Sequence, residues 1–124
     1  MNKLILSPLI FLDLLSLKIR FKTKSYLRDH QKINAFKPLS KKVFSFNIKT
    51  SLQIINFFYK NKFFSCLICS LLVKNIIKNE GAYIHIGVMH KNNEKSFHAW
   101  VENNGHIIFG NHKFLSDFIT LHKI

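Results

Sequence analysis

Acidic residues are scarce in this chain of 124 residues: six, against 19 Lys and Arg. Asp13, Asp29, Glu80, Glu94, Glu102 and Asp117 are widely spread, which excludes a paired-carboxylate site. The four glycines build no phosphate-cradling loop. Two cysteines are too few for a disulfide framework. Cys66 and Cys69, three apart, read as neighbours on one helix and as free thiols of a reducing, cytoplasmic compartment. No apolar run is long enough to span a membrane, because Pro8 and Asp13 interrupt Leu4 to Leu17. That stretch is not a secretory signal either. Only Lys3 charges its front, and Lys18, Arg20, Lys22 and Lys24 stand where a small-residue cleavage site would be. Internal repeats and low-complexity tracts are also missing.

What the chain does have is apolar mass and positive charge. Apolar residues make up 48%, with 13 Phe, enough for one folded domain over residues 1–124. The formal charge of +13 is uneven. Residues 1–65 hold 13 Lys and Arg against two acids, whereas residues 66–124 hold six against four. Such a field favours an anionic partner: nucleic acid, membrane surface or an acidic peptide. Much excess lysine in a chain rich in Lys, Asn, Ile and Phe is simply solvated, and nucleic acid is not the expected partner. The hydrophobic-then-basic N-terminus fits a helix buried against the domain, and it also fits an interfacial helix at a membrane surface.

Periodicity divides the chain into a basic helical part, residues 1–64, and a core, residues 65–124. Leu9, Leu12, Leu15 and Ile19 recur at helical spacing and predict a helix over 9–29. Residues 34–40, with Pro38, form a connector. Phe44, Ile48, Leu52, Ile55 and Tyr59 predict an amphipathic helix from about 40 to 60. Ser65 can cap a third helix running from Cys66 to Asn79, with Gly81 just past its end. The period then becomes two. Residues 82–89, 96–102 and 106–110 predict three strands, the last two joined at Asn103-Asn104-Gly105. Helices first and a three-stranded antiparallel meander last make the class α+β.

Cys66 opens its helix, where unpaired backbone N–H groups and the helix dipole favour a thiolate. Its base must come from elsewhere in the fold. On the second strand Phe97, Ala99 and Val101 share one face, and His98, Trp100 and Glu102 share the other. If the third helix packs on the face of His98, thiol and imidazole can meet. A third group should then accept the other ring N–H. With Asn104-Gly105 as a two-residue turn, His98 pairs with Asn111 on the same face. With a three-residue loop it pairs with Gly110 instead. Cys-His-Asn is a working combination. Cys66 to Cys69 also matches C-x-x-C, which opens a redox or metal reading. No βαβ unit surrounds it, though, and no second ligand pair is suitably spaced, so no cofactor and no metal are expected.

Cys66-Leu67-x-x-Ser70-Leu71, Gly81, Ile86-Gly87-Val88 and His98-Ala99-Trp100-Val101-Glu102-x-x-Gly105 follow one another in an order that resembles the transglutaminase-like peptidase of lasso-peptide biosynthesis, the C-terminal part of the B protein. The motifs cover residues 65 to about 111. The hydrophobic-then-basic start also resembles that of stand-alone versions. The resemblance implies a papain- or transglutaminase-like core in which the Cys-bearing helix packs on the sheet. It implies a cysteine peptidase that cleaves the leader from a precursor peptide, beside a small leader-recognition protein and an ATP-using lasso cyclase. Cys66, His98 and Asn111 are its candidate catalytic residues. The family often carries an aspartate about twelve residues after the histidine, where this chain has Gly110 and then Asn111. Either Asn111 substitutes, or Asp117 or another group serves, or the triad is incomplete.

Overall fold

The computed structural model of the chain describes residues 3–21, 38, 48–77 and 80–124. Among these, three helices precede four strands, so the class is α+β. Helix α1 spans Lys3–Phe21, α2 Ile48–Lys60 and α3 Cys66–Ile77. The strands are β1 Ala82–Lys91, β2 Glu94–Asn103, β3 His106–Phe109 and β4 Ile119–Lys123. Residues 22–29 of the expected first helix, the start of the second before Ile48, and the connector except for Pro38 lie outside the described residues.

Helix α1 begins six residues earlier than its periodicity suggests and carries Pro8 inside. An interior proline costs about 3 kcal/mol. Leu6, Ile10, Leu14 and Leu17, spaced four, four and three apart, are fully buried. Each such side chain gains about 1.5–3 kcal/mol, so together they outweigh the proline. Helix α2 buries most of the expected face, with Ile55 in the core and Leu52 and Tyr59 packed on it. Ser51, Ile54 and Ile55 are its buried residues, and Ile48 is exposed. Its end is a Schellman motif: Phe63 N–H donates to Phe58 C=O at 3.0 Å and Lys62 N–H to Tyr59 C=O at 3.0 Å. Lys62 takes the left-handed position, φ 61°, that glycine occupies without strain, at a cost of about 1–2 kcal/mol. Helix α3 starts where expected. The Ser65 hydroxyl accepts the Ile68 N–H at 3.3 Å as its cap.

The sheet has four strands rather than three, in the order β3-β2-β1-β4, every neighbouring pair antiparallel. Strand β4 goes beyond the expectation: Ile119 and Leu121 alternate with Thr120 and His122, a short period-two signal, although all five residues are exposed. The β1–β2 hairpin turns on Asn92 and Asn93, and the β2–β3 hairpin on Asn104 and Gly105. All four have positive φ, as two-residue hairpin turns require.

Alternation assigns the two faces. Ile84, Ile86, Ala99, Val101 and Phe109 pack against the helices in one core with Leu14, Ile55 and Leu72. The opposite face carries His85, His98, Trp100 and Glu102. The segment from Gly110 to Phe118 leaves the β3 edge and crosses this face to reach β4, laying His112 and Phe118 over the His98 ring. Gly87 makes room for Trp100. A Cβ there would meet the indole ring at 2.9 Å and the Ile119 carbonyl at 3.1 Å. Gly87→Ala should therefore lower stability by about 1–3 kcal/mol in a urea titration, the usual cost of overpacking.

Candidate active site

Cys66 is the first residue of α3 and is part-exposed, and its helix neighbours pack into the core. Tyr59 lies beside it. Burial first, and the Cys66 and Cys69 thiols second, hold the Tyr59 phenol above the ordinary tyrosine value. Cys69, one turn further, is fully buried. Burial, and then the neighbouring Cys66, push its thiol up to about 12. A thiol that stays protonated at neutral pH is a poor nucleophile and a poor redox partner. The two cysteines thus differ sharply, which weighs against the C-x-x-C reading. Among the described residues no three His, Cys, Asp or Glu side chains converge as a metal site would.

His98 is buried at 7% exposure between Trp100, His112 and Phe118, with ring centroids 6.1, 5.5 and 5.7 Å away. Its Nε2 lies 2.6 Å from the Gly110 carbonyl oxygen. A carbonyl only accepts, so Nε2 carries the hydrogen and donates it. In the neutral ring Nδ1 is then the unprotonated nitrogen, free to act as a base. Gly110 is suited to this place. Its φ is +80°, and a Cβ would stand 2.8 Å from the Ala99 carbonyl oxygen.

Asn111 does not take the role expected of it. The turn at Asn104-Gly105 is the two-residue one, and Asn103 pairs with His106 and Glu102 with Ile107. A bulge then intervenes, so that Val101 pairs with Phe109 and the register moves by one. The strand ends there, Asn111 is exposed, and it is His112 whose ring stands beside His98. Asp117 is exposed in a 3-10 turn, Leu115–Asp117, and among the described residues it forms no ion pair with the ring. The Gly110 carbonyl, a backbone group with no sequence signature of its own, is the partner.

Helix α3 also lies on the other side from the one expected. It packs on the face of Ala99 and Val101, so the Cys66 thiol and the His98 ring start from opposite faces of β2. The physical reason is apolarity: Ile84, Ile86, Ala99 and Val101 offer the helix a drier surface than His85, His98 and Glu102 do. No hydrogen bond joins thiol and ring among the described residues. A short series of neighbours lies between them: Tyr59 feels the Cys66 thiol electrostatically and packs edge-on to Phe109 with centroids 5.6 Å apart, and the next residue, Gly110, holds His98. β3 stops at Phe109, so beyond it β2 has an edge with no strand beside it at His98.

Comparison with family models, with curated proteins and with solved structures finds no match.

Beyond Trp100 the same face carries a second pair, His85 and Glu102. His85 stacks on Trp100 at 5.3 Å, with planes 6° apart. The Glu102 carboxylate lies 3.1 Å from His85 Nε2. The cross-strand register explains both: His85 pairs with Trp100 and Tyr83 with Glu102, on one face. Stacking on His85 and packing on Phe118 fix the Trp100 indole, and that indole in turn walls one side of His98.

Proposed function

We propose that the chain is a transglutaminase-like cysteine peptidase of the cytoplasm that cleaves the leader from a ribosomally made lasso-peptide precursor. The observation that carries the reading is the 2.6 Å bond from His98 Nε2 to the Gly110 carbonyl. It supplies an orienting acceptor at the position where the family carries its aspartate, and it leaves Nδ1 as the base. The ordered motifs from Cys66 to Gly105 and the capped start of α3 point the same way.

In this mechanism Nδ1 takes the Cys66 proton, and the thiolate attacks the carbonyl carbon of the scissile peptide bond. The imidazolium gives its proton to the departing amine, which carries off the C-terminal fragment. The thioester left on Cys66 is hydrolysed by water activated by the same ring. The Gly110 carbonyl steadies the imidazolium through its Nε2–H, and the Cys66 backbone N–H is positioned to serve the oxyanion. In the free chain thiol and ring stand on opposite faces of β2, so the chemistry requires the Gly110–Phe118 segment and the ring to rearrange past the open edge of β2 when substrate binds. A small leader-recognition protein presents the precursor, and an ATP-using cyclase closes the ring of the released peptide.

The test is incubation of the chain and its recognition partner with a precursor peptide, followed by mass spectrometry. Two fragments from one cleaved bond are expected, and an intact precursor counts against the reading. Asn111→Ala should cleave within about twofold of the parent, because the exposed amide does not hold the ring; a loss above tenfold would restore Asn111 as the orienting group.

A further inference from the structure

Beside the start of α3 lies a cleft of about 440 Å³, large enough for one or two side chains of a peptide. Tyr59, Phe63, Phe64 and Ile68 line it, and Lys18 and Lys62 stand at it. Ser65 and Ile68 bracket Cys66 in sequence, and Tyr59, which lines the cleft, feels the charge of the Cys66 thiol, so the cleft lies near the candidate nucleophile. Among the described residues its lining holds two ammonium groups and no carboxylate. Lys18 lies over the Phe64 ring, 6.0 Å from its centroid, which directs its charge along the cleft wall.

Lys62 carries the second observation. It occupies the left-handed cap position of α2, which glycine fills without strain. Retaining a lysine there places a cation at this cleft against the local backbone preference. Strain of this kind is stored where a side chain has work to do.

We infer that this cleft is a substrate subsite that takes an acidic side chain flanked by apolar residues, within a few residues of the scissile bond. The inference rests on the peptidase reading for the bond, but not for the binding. Two ammonium groups select the carboxylate. The phenyl and phenol rings take the apolar neighbours. The surplus of positive charge over residues 1–65 draws such a peptide in.

The experiment uses fluorescence anisotropy with the full chain carrying Cys66→Ala, so that binding is read without turnover. Two labelled precursor peptides differ only in Asp or Glu against Asn or Gln near the bond. The acidic peptide should bind about fivefold tighter at low salt, the sum expected for two solvent-exposed pairs. Lys62→Gly, which relaxes the cap while removing the charge, and Lys18→Gln should each shrink the difference, and together they should erase it. Equal binding of the two peptides overturns the proposal. So does a preference that survives both substitutions, or a single-stranded oligonucleotide that displaces the acidic peptide at lower concentration than the unlabelled peptide does. Cleavage is followed separately with the parent chain. Lysine-dependent acid preference without cleavage keeps the subsite and removes the peptidase; cleavage without acid preference does the reverse.

Discussion

Cys66→Ala is expected to abolish precursor cleavage, by on the order of 10⁴-fold or more, whereas Cys69→Ala keeps most of it. The difference follows from position. Cys66 opens α3, part-exposed, next to the Ser65 cap, which together with Ile68 lines a cleft at the helix start. Cys69 is sealed in the core with its thiol pushed up to about 12. It belongs to the same buried cluster as Leu71, Leu72 and Ile84, one small apolar group among others. Mass spectrometry of the precursor after incubation with each variant measures both. Equal loss in the two variants would shift the account toward a C-x-x-C pair acting together. Circular dichroism of each variant separates lost chemistry from lost fold.

The second large effect concerns the base. His98→Gln should leave the fold near native and stop cleavage, by on the order of 10³-fold or more. Glutamine can still donate an N–H to the Gly110 carbonyl and still fill the space between Trp100 and Phe118, but it offers no basic nitrogen. His98→Ala would lose the buried hydrogen bond and leave a void, so it is the weaker test of the two. Retained cleavage in a folded His98→Gln chain would remove the ring from the mechanism. A parallel control is Gly110→Asp, which writes the family's residue into the chain. With φ at +80° and a Cβ 2.8 Å from the Ala99 carbonyl, it should disturb this turn rather than improve catalysis.

Much of this architecture is legible in the residues themselves. Asn104-Gly105 and the asparagines at 92 and 93 take left-handed turns because their short amides tolerate positive φ, and the strands follow from that. Ser65 before Cys66 marks the helix start through one hydroxyl and one free N–H. Three features are hidden for physical reasons. Helix α1 runs through Pro8 because four buried side chains outweigh one lost hydrogen bond, a balance that only tertiary packing reveals. Strand β4 carries a short alternation, Ile119 and Leu121 against Thr120 and His122, but its apolar residues are exposed, so the pattern marks no buried face. The bulge that detaches Asn111 from His98 is a one-residue insertion with no compositional mark.

The side of the sheet covered by α3 is a different case, because its signal is present. Ile84, Ile86, Ala99 and Val101 form the more apolar set, and an apolar helix such as α3 should choose them. The site is where that rule and the chemistry part. Catalysis wants the thiol and His98 together, while packing sends Cys66 to the dry face and keeps His98 under the Gly110–Phe118 segment. Under the proposed reading both demands can be met only if the ring, held by the Gly110 carbonyl, comes round the open edge of β2 to the thiol.

The most direct measurement is a crystal structure of the chain with a precursor-derived peptide aldehyde bonded to Cys66. The account predicts His98 Nδ1 within hydrogen-bond reach of the captured thiol or its hemithioacetal oxygen, about 2.6–3.2 Å, with Nε2 still on the Gly110 carbonyl. A complex in which the aldehyde sits on Cys66 while His98 stays enclosed by Trp100, His112 and Phe118 on the far face of the sheet would contradict it.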